Sequence, residues 1–393
     1  MKKGVLFLKK RTKKPLLLGA RARFNARPNL QKFLLLFSKR SASLLPKGVA
    51  QTIPALDGLR GVAALIVLVS HFSNDFAVWH GNLGHGAGQT GVMLFFVLSG
   101  FLMAHLHIDT DFTAASLRSY AVRRVARVYP LFLVVAAAFE LQNWLGSGGG
   151  VKAGLLIPWL RQVLLIDPGF SVLWTVRVEI LFYAAFVGIW WLFRVTGRRV
   201  VLAALLGAVV MLSTGSLQYS GMFFASARFF LFGVISALLL ARVPQPRHRG
   251  GFLLSALALM AFASIPLSFP PLIKMMFGAD TQPWHNNLVA AQIVLLFNLV
   301  LRDHGWLNRL LSAPAARWLG RVSYSLYLLQ PFVLQCVLAR LPAANPVLSG
   351  AAVLLTALML AGISNRLIER PAQAWVIAAA RYFSRPEPRQ AAT

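Results

Sequence analysis

Arg60 and His71 stand eleven residues apart inside one apolar segment, Ile53 to Phe72. Charge is expensive in hydrocarbon, so an intramembrane Arg and His mark a functional site unless structure explains them. Eleven helical residues turn through about 1100°, three turns plus roughly 20°, and rise about 16 Å. The two side chains therefore share one helix face at two depths. Arg124 and Arg127, three apart, share a face of a later helix, and so do Glu179 and Tyr183, four apart. An imidazole can take a proton from a hydroxyl at neutral pH. Guanidinium groups grip phosphates, and a buried carboxylate needs a proton or a partner. Each group also has a structural alternative: a snorkelling Arg60, a hydrogen-bonded His71, anchoring of Arg124 and Arg127 at the membrane face, and an ion pair of Glu179 with Arg177, Arg228 or His71.

The elements that must hold these groups are membrane helices. The chain has 393 residues, 57% hydrophobic and 13% charged, with a mean hydropathy of +0.64. Hydropathy predicts an all-α integral membrane protein of about ten transmembrane helices. These fall near 55–76, 91–106, 127–145, 173–193, 199–217, 222–240, 250–268, 285–301, 322–340 and 347–367. The stretch from Gly154 to Ile166 reads as amphipathic and interfacial or re-entrant.

The net charge of +29 would suggest nucleic acid in a soluble chain. Here Lys and Arg alternate by loop, rich beside Arg118 to Arg127, Arg194 to Arg199, Arg242 to Arg249, Arg302 to Arg321 and Arg366 to Arg389. The loops with Lys152 and Arg161, Lys274 and Arg340 are poor in them. The positive-inside rule then puts both termini in the cytoplasm and removes the case for a nucleic-acid partner. The basic tails are expected against anionic lipid headgroups.

Residues 1–52 hold no acid before Asp57 and read as a basic cytoplasmic extension without a signal-peptide core. Residues 53–371 read as the transmembrane domain and 372–393 as a short cytoplasmic tail. The single Cys336 excludes an internal disulfide framework and a Cys-based metal site, and no metal is expected. His80, His85, His105 and His107 read as loop or helix-end residues. Tyr324 and Tyr327 read as packing or cavity-lining residues, and Ser99 as a packing position.

Five segments occur in order along the chain: LDGLRGVAALIVLVSH, GVMLFFVLSGFL, RRVARVYP, LWTVRVEILFY and SYSLYLLQP. Together they resemble the membrane-bound acyltransferase family 3, from about Ile53 to Pro371. Its members include bacterial O-antigen, exopolysaccharide and nodulation-factor acetylases and some macrolide acylases. The resemblance places the family's Arg–x10–His pair on Arg60 and His71, its Arg-x-x-Arg on Arg124 and Arg127, and its Trp-to-Glu motif on Trp174 and Glu179. Met93 stands where the family usually has an acid, Arg177 where it has a small residue, and Gln330 where many members carry a His. The soluble esterase-like domain of some members has no counterpart, so acceptor delivery is expected to rest on the membrane domain or a partner.

The resemblance implies an O-acyltransferase of a bacterial inner (plasma) membrane. Acyl-CoA, acetyl-CoA being the commonest in the family, would be the donor, and a surface polysaccharide, lipopolysaccharide or lipid-linked oligosaccharide the acceptor. Arg60, Arg124 and Arg127 would hold the donor phosphates near the cytoplasmic side. His71 would act as base in the outer half, with Glu179 orienting it. Trp174, Tyr183, Arg228 and Gln330 are candidates for the acceptor site. The alternative is a transporter or flippase for a polar or lipid-linked glycan, with His71, Glu179 and the arginines as a proton relay. The sequence shows no strong internal repeat of the kind built into many transporters.

Overall fold

A computed structural model describes residues 53–76, 84, 86–146, 156–167, 169, 171–240, 251–265, 284–341 and 345–383. The N-terminal extension, His80, His85, Lys152, Lys274, Arg242, Arg247, Arg249 and the tail beyond 383 lie outside the described residues.

The described residues are helical throughout, without a strand. Helix α1 spans Pro54–Asp75 and starts on a proline whose missing N–H costs nothing at that position. Helices α2 (Ala87–His107) and α3 (Ala114–Gly146) follow. The short α4 (Leu156–Val163) is the amphipathic piece expected between Gly154 and Ile166. Helix α5 (Leu173–Thr196) ends at Gly197, whose φ of 81° turns the chain into α6 (Arg198–Thr214). A 3-10 turn at Ser216–Tyr219 leads to α7 (Met222–Leu240), then α8 (Gly251–Ser264) and α9 (Asn287–Arg302). The last part holds α10 (Trp306–Leu311), α11 (Pro314–Leu338) and α12 (Pro346–Ser364). A π-helical turn at Asn365–Glu369 leads from α12 into the surface helix α13 (Arg370–Tyr382), which has no buried residue.

A described helix overlaps each of the ten segments expected to span. Among the described residues, six helical stretches are long and apolar enough to cross a membrane: Pro54–Asp75, Ala87–His107, Ala114–Gly146, Leu173–Thr196, Met222–Leu239 and Pro346–Tyr382. Gly251–Ser264 and Asn287–Arg302 are apolar but shorter. Large apolar side chains such as Val195, Leu206, Phe252 and Leu355 are exposed on the outside, as lipid contact requires. The chain is a multi-pass helical membrane protein.

Close backbone approach fixes the helices around the site. Between lipid-embedded helices, packing supplies attraction that hydrophobicity does not. Gly58 lies against the backbone of Leu311, and Gly320 against the carbonyl of Asp57. Ala64, Leu68 and Phe72 then share a cluster with Leu326, Val333 and Leu334, so α1 and α11 run parallel in contact. Gly91 meets the Ala63 carbonyl and Val67, which sets α2 antiparallel to α1. Gly100 and Gly233 bring α2 and α7 together backbone to backbone. Behind them, Phe230 stacks between Phe96 at 4.4 Å and Phe182 at 4.0 Å.

Candidate functional site

A cavity opens between α1, α2, α3, α5 and α11. Arg60 enters it from α1, Arg124 and Arg127 from α3, and Glu179 and Tyr183 from α5. The sequence pairings at three- and four-residue spacing explain this, because α3 and α5 each turn a single face inward. Ser99 of α2 and Ser323, Tyr324 and Tyr327 of α11 complete the polar wall. Phe95, Phe96, Leu98 and Leu102 supply an apolar one.

The charges are tied down in detail. Arg60 pairs with Asp57 at 3.7 Å, its side chain only 13% exposed. The Arg124 guanidinium carbon lies 5.6 Å from the Tyr120 ring and 5.4 Å from the Tyr183 ring, a cation–π arrangement. Glu179 accepts hydrogen bonds from the Ser99 hydroxyl at 3.2 Å and from the Tyr183 hydroxyl. Tyr120 donates to the Tyr183 carbonyl at 2.9 Å, and Tyr324 to the Val128 carbonyl at 2.9 Å. Tyr327 hydrogen-bonds Thr175, another lining residue. Three guanidinium groups and one carboxylate thus share one cleft, a setting suited to an anion with several oxygens.

The structure brings together Arg60, Arg124, Arg127, Glu179 and Tyr183. It places Glu179 with the arginines, hydrogen-bonded to Ser99 and Tyr183. His71 is not among the residues lining the cavity. It sits half-buried farther along the same α1 face, with Asp75 as a charged neighbour. Val92, at the cavity's upper end, follows Gly91, which touches Ala63 and Val67. His71 therefore lies about 6–12 Å beyond the upper rim along α1.

The other candidates stand outside the lining. The Trp174 ring meets Phe96 at 6.4 Å and Trp284 at 5.6 Å, both edge-on. Arg228 is fully buried and donates to the Asn287 side chain at 2.6 Å and the Trp284 carbonyl at 2.5 Å. Gln330 is fully buried on α11, and neither its amide oxygen nor its amide nitrogen has a hydrogen-bond partner.

The sequence reading did not place Ser99, Thr175 or Ser323 in the site. Their only signal was a small hydroxyl in an apolar helix, which packing uses as often as chemistry. Glu369, on the π turn, does not line the cavity; it accepts from Ser325 of α11, the residue after the lining Tyr324.

The Acyl_transf_3 family, described as an acyltransferase domain, matches residues 53–366. The chain belongs to that family. It is 30% identical over 151 residues to "Acyltransferase MdmB" of Streptomyces mycarofaciens, covering 34% of this chain and 38% of the relative. It is 22% identical over 320 residues to "Putative O-acetyltransferase SACOL0978" of Staphylococcus aureus, covering 70% of this chain and 50% of the relative. It is 26% identical over 318 residues to "Putative peptidoglycan O-acetyltransferase YrhL" of Bacillus subtilis, covering 70% and 48%. The chain thus spans about half the length of these O-acetyltransferase-named relatives, and less of MdmB. No solved structure matches. Residues 53–366 contain every residue of the cavity, so the family domain and the arginine-lined cleft are one unit.

Proposed function

We propose that the protein is an O-acyltransferase that moves an acyl group, acetyl in the first instance, from cytoplasmic acyl-CoA to a hydroxyl of a saccharide. The observation that carries the reading is the meeting of Arg60, Arg124 and Arg127 in one cavity within an acyltransferase-family domain. CoA offers what such a cavity binds: phosphates at one end and a slender, amide-containing arm that can thread between helices. The names of the relatives support acetyl as the group and a glycan as the acceptor. The loop charges support both termini in the cytoplasm of a bacterial inner membrane, with the arginines near the cytoplasmic side.

The donor phosphates dock on the three guanidinium groups. The arm extends along α1 toward His71, about 16 Å from Arg60. His71 takes the proton of the acceptor hydroxyl as its oxygen attacks the thioester carbonyl. The C–S bond breaks, and the leaving CoA sulfur takes that proton back from the imidazolium. Glu179, hydrogen-bonded in place, supplies negative charge that balances the arginines and steadies the imidazolium through the low-dielectric bundle. Trp174, Tyr183, Arg228 and Gln330 remain candidates for contacts to the acceptor or the arm. A saccharide, polymeric or lipid-linked, reaches the site from the outer side.

Purified protein in detergent, given radiolabelled acetyl-CoA and a bacterial glycan fraction, should release CoA and label the glycan without any membrane gradient. Strict dependence on sealed vesicles, with no acyl transfer, would instead identify a transporter.

A further inference from the structure

Gln330 is buried with both ends of its amide unpartnered. Buried polar groups are nearly always hydrogen-bonded, so an orphaned pair of donor and acceptor asks for a reason. Its place on α11 supplies one. Ser323 and Tyr327 line the cavity, and Gln330 follows them by seven and three residues. Seven residues make two turns less about 20°, so Gln330 continues the cavity stripe toward the outer side.

Depth can be read from the α1 contact. Gly320 abuts Asp57, and the helices run parallel. Gln330 is therefore about level with Val67, roughly 10 Å beyond Arg60 and roughly 6 Å short of His71. The CoA arm is peptide-like. Its amide nearer the sulfur lies about three extended residue lengths from the phosphate, roughly 10 Å.

We propose that Gln330 is a donor-arm subsite, pairing its amide with the thiol-proximal amide of the CoA arm. A secondary amide presents one N–H and one C=O, the complement of what Gln330 leaves open. The pairing would fix how far the arm advances and so hold the thioester at the level of His71. This inference rests on the acyl-CoA reading above.

The test is Gln330→Leu, near in size and without polar atoms, with CoA binding to the purified protein followed by calorimetry beside thermal unfolding. CoA affinity should fall about tenfold, the worth of two neutral hydrogen bonds. The unfolding temperature should hold or rise, because an unpaired buried amide has been removed. A structural role would show the opposite pattern: lower unfolding temperature and unchanged affinity. Gln330→Glu, which keeps one acceptor and loses the donor, should also weaken CoA. Unchanged affinity in both variants, where Arg124→Ala does weaken CoA, overturns the subsite alone. Absence of CoA binding by the unaltered protein overturns the donor reading and the subsite with it.

Discussion

The Ser99 hydroxyl of α2 donates to the Glu179 carboxylate of α5 at 3.2 Å, across 80 residues of sequence. That contact, with the Tyr183 hydroxyl on the same carboxylate oxygen, fixes Glu179 inside the arginine cavity. Among the described lining residues the one acid is thus a counter-charge held by two donors. Its neighbours explain how three guanidinium groups can sit together in a membrane bundle without driving it apart.

Glu179→Gln keeps an acceptor for Ser99 and Tyr183 and removes the negative charge. The donor KM is expected to hold or fall, since one anion fewer faces the phosphates. The kcat is expected to fall, because the imidazolium formed in the transfer step loses a favourable charge in a low-dielectric bundle. Steady-state kinetics with acetyl-CoA separates the two. A raised KM with unchanged kcat would remove Glu179 from the charge balance proposed for it.

His71→Ala removes the proposed base without touching the cavity lining. Transfer is expected to fall by about 10²- to 10⁴-fold while membrane insertion and CoA binding persist. The unaltered enzyme should also lose activity as pH falls through the imidazole titration. Normal transfer by a correctly inserted His71→Ala protein would contradict the assignment.

Gly320→Ala would drive a methyl group into the Asp57 carbonyl, and backbone cannot yield as a side chain can. The separation of α1 from α11 that follows would also shift Arg60 from Ser323. A loss of about 1–3 kcal/mol is expected, read as a lower unfolding temperature in detergent, together with weaker CoA binding. The exposed Gly188, with open space at its Cβ, is the matched control and should accept Ala without effect.

Asp303 tests packing remote from the chemistry. It is fully buried and accepts from Ser255 at 2.9 Å and from the backbone N–H groups of Gly305 at 2.7 Å and Asn308 at 2.8 Å. Asp303→Ala strands those donors and should cost about 2–4 kcal/mol. Thermal unfolding should drop while the residual folded protein keeps its donor KM.

The helices were legible because hydropathy and helical length coincide in a membrane. Their ends were less so. Helix α3 begins at Ala114, thirteen residues before the expected 127, because hydropathy registers lipid and not helix. Its first turns, with Arg118, fell among the polar connections, although Arg124 and Arg127 were already legible as one helix face. Arg60, Arg124 and Arg127 were legible as a group because charge in apolar surroundings is conspicuous. The depth of Glu179 was not. Counting turns from Leu173 assumed that α5 enters the membrane where its hydropathy begins, and the partner that fixes it, Ser99, is on another helix. The π turn at Asn365–Glu369 likewise has no local pattern that announces it.

The most direct measurement of the central claim is CoA binding to purified protein carrying Arg124→Glu and Arg127→Glu, with transfer from labelled acetyl-CoA measured in the same preparation. Each charge-assisted contact to phosphate is worth roughly 10- to 100-fold. Affinity for CoA is therefore expected to collapse by at least that factor, and transfer with it, in a protein that still folds. Undiminished CoA affinity and transfer in the doubly reversed protein would contradict the account.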